Sequence, residues 1–210
     1  DKKETSIFSD LIEGVKYSFG FPPIKYLLLL ILSTGFFVLP FQSFLPVFAK
    51  DILNGDSGLY GILIGCYGAG ALIGAIFLAS RKSLKKFPVY ILFAAFLFPL
   101  GLAVFSHSLN IALSMTLLVV CGWAMIAQYV STNTLLQTIS KPEMVGRVIS
   151  FYGMSFMSVT PLGALLIGYL ANFFAIQKII LTFVLISLCA SCLYAMRKSK
   201  VQKGLDQVEF

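Results

Sequence analysis

Charge is what this sequence has least of. Asp, Glu, Lys and Arg make up 12% of its 210 residues, where a soluble domain carries about 25%. Histidine occurs once, at position 107. No Asp, Glu, Lys, Arg or His falls within 26–48, 59–80, 89–106, 109–136, 148–171 or 179–196. Each absence excludes something. His107 lies between two apolar stretches with no acid near it in the sequence, so it reads as a solvated loop residue. No pair of carboxylates sits on any apolar stretch, which leaves acid–base catalysis without residues. No Gly-rich loop ends in Lys-Ser or Lys-Thr, so nothing here cradles and hydrolyses ATP. The chain is not read as an enzyme, and no cofactor or metal is expected.

What is present is apolar surface. Hydrophobic residues make up 58% of the chain, with a mean hydropathy of +0.90. An apolar stretch of about 20 residues spans a bilayer, and the six charge-free stretches are of that order. A charge at the bilayer centre costs about 2.5–3.5 kcal/mol on insertion scales, which accounts for their purity. Backbone groups in lipid must be satisfied within the segment or in a closed barrel, and barrel-type alternation is missing. The fold class expected is all-α membrane, with six transmembrane helices. Residues 1–25 read as a cytoplasmic linker with an amphipathic interfacial helix, 26–196 as the six-helix bundle and 197–210 as a basic cytoplasmic tail.

Basic residues set the orientation. With both ends inside, the inner side holds Lys2, Lys3, Lys16, Lys25, Arg81, Lys82, Lys85, Lys86, Lys141, Arg147, Arg197, Lys198, Lys200 and Lys203. The outer side keeps only Lys50 and Lys178. Fourteen against two predicts a multi-pass protein of the cell membrane with cytoplasmic termini, and explains the net charge of +7. The basic residues sit at helix ends rather than on one soluble face, so nucleic acid is not expected as a partner; the lipid bilayer is. Cys66, Cys121, Cys189 and Cys192 all fall within spans. Cys189 and Cys192 have the spacing of a redox or zinc pair, but on a lipid-embedded helix small packing residues are the expected reading. The amino end lacks the short apolar core of a cleavable signal peptide. Beginning with Asp1 rather than Met, the chain reads as a trimmed sequence or as the back part of a longer one.

Local signals place bends and contacts. Ile7, Phe8, Leu11, Ile12, Val15 and Phe19 recur at three- and four-residue spacing, with Ser9, Asp10, Glu13 and Lys16 between them; such a helix lies in a membrane interface. Gly20 and Pro22-Pro23 end it. Pro40 and Pro46 predict a bend in the first span with Gln42-Ser43 at it, and Pro99 with Gly101 predicts another in the third. Gly61 and Gly65 are four apart, as are Gly70 and Gly74, a spacing that lets helix backbones approach closely. The fourth span gathers Gln128, Tyr129, Ser131, Thr132, Asn133 and Thr134, which cannot all face lipid cheaply. Ser140-Lys141-Pro142-Glu143 has the form of a capping box starting the next helix, and Arg147 follows where that helix meets the membrane.

TLLQTISKPEMVGRVISFYG (134–153) and PLGALLIGYLA (161–171) resemble the segment joining the tenth and eleventh helices of major facilitator superfamily transporters. The branch of bacterial efflux permeases that includes enterobactin exporters and macrolide efflux proteins is the most similar. Gly146-Arg147 and Pro161-Leu162-Gly163-Ala164 are kept, while Val145 stands where that branch has a first arginine. DLIEGVKYSFGFPPIKYLLLL (10–30) resembles the family's linker into its seventh helix, and FLPVFAKDILNGDSGLYGILIGCYGAGALIGA (44–75) its seventh-to-eighth helix region. The resemblance covers nearly the whole chain. It implies the carboxy-terminal half of a twelve-helix fold, helices seven to twelve, built as a 3+3 inverted repeat. It implies a secondary active transporter, an efflux permease for a small amphipathic molecule such as a drug or siderophore, working by alternating access. The absent amino-terminal six-helix half would be its partner. The alternative is a non-transporting scaffold or receptor, or a self-pairing half. On the transport reading, Gln42, Tyr67, Gln128 and Thr132 line the substrate cavity. Glu143, Gly146 and Arg147 form a cytoplasmic gate or anchor. Gly61, Gly65, Gly70, Gly74, Pro161 and Gly163 serve helix packing.

Overall fold

The computed structural model describes residues 7–81 and 83–206. No strand occurs among them; the chain is a succession of helices: α1 (Ile7–Gly20), α2 (Pro22–Phe37), α3 (Leu45–Val47), α4 (Ser57–Ala79), α5 (Phe87–His107), α6 (Ile111–Ile139), α7 (Val145–Met154), α8 (Thr160–Leu170) and α9 (Ile176–Asp206). Six runs are long and apolar enough to cross a membrane: Pro22–Ile52, Ser57–Ala79, Leu84–His107, Ile111–Ile139, Val145–Leu170 and Ile176–Asp206. They follow the six charge-free stretches, shifted by a few residues because a helix continues into its charged margin. The sixth runs furthest past its apolar stretch, through Arg197, Lys198, Lys200 and Lys203. Two helix starts are fixed by side-chain caps that satisfy an otherwise orphan amide. Asp56 Oδ1 accepts the Leu59 N–H at 3.0 Å, and Asn110 Oδ1 accepts that of Leu113 at 3.1 Å.

The spans pack in a regular pattern. The second and third lie on the fourth, the fifth and sixth lie on the first, and the third and sixth lie on each other. Exchanging first with fourth, second with fifth and third with sixth maps these contacts onto themselves. Lipid tails are as apolar as leucine, so burial alone holds such helices together weakly and close packing must do it. Aromatic rings pack between the spans. Phe41 meets Tyr67 at 5.5 Å and Phe98 at 6.1 Å between ring centroids, and Phe48 meets Phe105 at 5.1 Å. Polar groups add bonds between spans: Ser191 Oγ donates to the Ala95 carbonyl at 2.8 Å, and Tyr194 Oη to that of Pro88 at 3.3 Å.

Two spans are broken. The first leaves α-geometry at Val38, winds as a 3₁₀ helix over Leu39–Phe44 and widens into a π-turn over Phe48–Ile52. At Pro40 and Pro46, where a bend is expected, the helix changes type. The fifth breaks at a π-turn over Ser155–Val159, directly before Pro161. There the Thr160 hydroxyl donates to the Ser155 carbonyl at 2.7 Å, a side-chain bond across the wide turn. Pro99, by contrast, leaves the helix type unchanged: α5 runs through it from Phe87 to His107, and Ser191 Oγ donates to the carbonyl of Ala95, four residues before it, which the proline cannot serve.

Candidate functional site

The broken segments of the first and fifth spans border an open groove of about 770 Å³. Ser43 and Phe44 line it from one side, and Phe156, Thr160, Tyr169 and Asn172 from the other. Irregular backbone at membrane depth is tolerated where protein buries it or where it lines a cavity. Two breaks at one cavity are therefore a stronger signal than either proline alone. The spans are held together beside it by backbone approach. A Cβ on Gly163 would overlap the Phe36 carbonyl, and one on Gly35 would stand 2.7 Å from the Ser155 carbonyl oxygen. Gly163 packs as its Pro-Leu-Gly-Ala setting suggests, and Pro161 is exposed on the cavity wall.

Behind the cavity lies a polar seam. Gln42 Nε2 donates to Tyr67 Oη at 3.2 Å, joining the 3₁₀ segment to the second span. Gln128 Nε2 donates to Thr34 Oγ1 at 2.9 Å, joining the fourth span to the first, and Thr34 in turn donates to the Leu30 carbonyl at 3.0 Å. Gln128, Ser131 and Thr132 are fully buried, and Tyr129 nearly so. Gln128 Oε1, Tyr129 Oη, Ser131 Oγ and Thr132 Oγ1 have no protein partner. Unpaired buried oxygens are costly, so the fourth span carries more polarity than its neighbours satisfy in this arrangement. Tyr152 Oη donates to the Tyr129 carbonyl at 3.2 Å, and Phe156 stacks 4.4 Å from the Tyr129 ring, linking seam to cavity. Of the four residues expected at a cavity, Gln42 pairs with Tyr67 and Gln128 with Thr34, Thr132 is buried without a hydrogen-bond partner, and none of the four lines the open groove itself. Ser43, Thr160 and Asn172, which line it, were not singled out as cavity residues, because only the fold places them opposite one another.

The glycines of the second span divide by face. Gly70 and Gly74 lie on the fourth span: a Cβ on Gly70 would overlap the Val119 carbonyl, and one on Gly74 would stand 3.0 Å from that of Trp123. Gly61 and Gly65 correct the sequence expectation. They are exposed, and among the described residues no atom lies within 4 Å of either Cβ position. The two pairs share a spacing but sit on different stripes, and only the stripe of Leu63, Tyr67, Gly70 and Gly74 faces the bundle.

At the end of the bundle that carries α1, the loop before the fifth span has a specific partner. Arg147 Nη1 is 2.6 Å from Glu13 Oε2 of α1, and the Lys141 amide donates to Tyr17 Oη at 3.0 Å. Glu143 is exposed on the turn before α7. The expected capping box is not formed. Ser140 Oγ instead donates back to the Leu136 carbonyl at 2.6 Å, closing the fourth span, and α7 starts only at Val145. Gly146 also differs from expectation: it points outward, with no atom within 4 Å of its Cβ position. The close approach is made by Gly14, whose Cβ would stand 3.2 Å from that of Arg147. Glu13 and Gly14 lie more than a hundred residues from Arg147 in sequence, and nothing local could have paired them.

A family model described as transmembrane secretion effector, MFS_3, matches residues 2–208. No curated protein and no solved structure matches the chain.

Proposed function

Because the chain belongs to the transmembrane secretion effector family, and so to membrane transporters of major facilitator type, we propose that it forms the carboxy-terminal half, helices seven to twelve, of a twelve-helix secondary transporter. Its cargo on this reading is a small amphipathic molecule, a drug or a siderophore, exported by alternating access as in the enterobactin and macrolide efflux branch. The observation that carries the proposal is the cavity between two discontinuous helices, the arrangement in which transporters of this kind bind substrate. Its wall mixes aromatic rings with hydroxyl and amide groups, which suits an amphipathic ligand. Gln42, Tyr67, Gln128 and Thr132 supply the polar groups behind that wall. The unpaired oxygens of Gln128 and Thr132 are satisfied when the halves rock and the seam opens. Arg147, with Glu143 and Gly146 beside it, is the gate at the cytoplasmic face, and its contact with Glu13 is the closed position. The exposed glycine stripe of the second span and the open face of the fifth receive the amino-terminal half.

The test uses the full-length protein in inside-out membrane vesicles and a panel of amphipathic dyes and iron chelators. Thr160→Trp fills the cavity from its wall and should abolish transport at normal expression, while Leu109→Trp, in an exposed loop, should not. Unchanged transport by Thr160→Trp would place the substrate path elsewhere. Robust flux through residues 1–210 alone would show that no second half is needed and would favour a self-pairing half.

A further inference from the structure

Helix α1 turns two faces to two surroundings. On one side Glu13 holds Arg147, Tyr17 accepts the Lys141 amide, and Gly14 and Ser18 are buried against the bundle. On the other side Ile12 and Val15 are 65% and 43% exposed, and Lys16 is exposed beside them. At 3.6 residues per turn, Ile12, Val15 and Lys16 fall within one arc, opposite Gly14 and Ser18. Gly14, Tyr17 and Ser18 thus face the protein, while Ile12 and Val15 are left uncovered by it.

The depth of α1 is fixed from both ends of its contact. Only Phe21 separates Gly20 from Pro22, where the first span begins, and Arg147 is the third residue of the fifth span. The helix is held at the level where spans leave the bilayer. We infer that α1 rests in the lipid leaflet at that end, with Ile12 and Val15 set into the headgroup boundary and Lys16 over anionic headgroups. An apolar stripe edged by lysine binds such an interface through both parts. The side of α1 that could have packed on protein is already taken by Glu13, Gly14, Tyr17 and Ser18. The proposal stands on the membrane-spanning fold and not on the transport reading.

The experiment places an environment-sensitive fluorophore at Ile12→Cys or Val15→Cys in the full-length protein, with Cys66, Cys121, Cys189 and Cys192, all free thiols, replaced by alanine. Unchanged thermal unfolding confirms the fold of each labelled protein. In vesicles of mixed anionic and zwitterionic phospholipid, both labels should emit blue-shifted and be quenched by spin-labelled lipid. Aqueous iodide should leave them bright, while a label on exposed Lys85 is quenched. Adding Lys16→Gln should reduce quenching by the spin-labelled lipid. Iodide quenching at both positions 12 and 15 would overturn the inference in favour of a solvent-facing helix. Efficient cross-linking of position 12 to another segment of the protein would overturn it in favour of a protein-facing one.

Discussion

The first and fifth spans are both broken beside the same cavity, yet one is the best covered span and the other the least. In their most apolar windows, 61% of residues are buried in the first and 17% in the fifth. The first is enclosed by the second, fourth, fifth and sixth spans; the fifth leans on the first and leaves Leu162, Leu165 and Tyr169 exposed. The same device, a proline beside a non-α segment, thus serves in a fixed wall and in an uncovered one. A broken helix in lipid needs its freed carbonyls satisfied. In the first span neighbouring helices enclose the break, and in the fifth the chain's own Thr160 hydroxyl bonds the Ser155 carbonyl.

The contrast can be broken most sharply at Gly163. Alanine there meets the Phe36 carbonyl, an immovable backbone atom, and overpacking of that kind costs about 1–3 kcal/mol. Thermal unfolding in detergent should show a clear drop in Tm and loss of protection in the fifth span. A Gly163→Ala protein as stable as the parent would mean that the two spans are not held by this contact. Next in size is Thr160→Val, which keeps shape and removes one hydroxyl bond. A loss of about 1 kcal/mol is expected, with hydrogen exchange increasing at 155–159 and unchanged at 39–44.

Smaller still in stability is Arg147→Lys. Its pair with Glu13 is partly exposed, and such pairs contribute roughly 0–1 kcal/mol, so unfolding should barely move. Lysine keeps the charge but not the planar guanidinium. If Arg147 gates, transport by the full-length protein should fall, and Glu13→Gln should reproduce the loss. Wild-type transport by Arg147→Lys with poor insertion of Arg147→Ala would leave it an anchor. The smallest effect is expected at Gly65→Ala. Its Cβ meets nothing in this chain, so stability should stay within about 0.5 kcal/mol, while assembly with an amino-terminal half should weaken. A matching loss in the isolated chain would show that this face is packed after all.

The six spans were legible because charge is excluded from lipid by a single-residue cost that the sequence records directly. Pairings were not. Gly61-Gly65 and Gly70-Gly74 have the same spacing, and which stripe faces inward depends on helices elsewhere in the chain. Pro40, Pro99 and Pro161 are alike as residues, yet α5 runs through Pro99 while the helices beside the other two change type, a difference set by what packs around each. Arg147 drew notice as a charge at a membrane edge, whereas its partner Glu13 lay on a helix read only for its apolar stripe. Periodicity along that helix gives a face and not what the face meets. The polar run at Gln128–Thr134 announced a special place; its bond to Thr34 needed the fold.

The sixth span ends far from where its apolar stretch does. Helix α9 holds 31 residues, roughly 46 Å at 1.5 Å per residue, against a hydrocarbon core of about 30 Å. Its surplus turns come to bear on the other end of the chain: Val201 and Leu205 are buried, and a Cβ on Gly204 would stand 2.7 Å from Pro23. Mechanically this is a rod propped against the stiff Pro22-Pro23 corner where α1 gives way to the first span. A tilt of that rod in the bilayer would bear on the corner as well as on the first and third spans that it packs against.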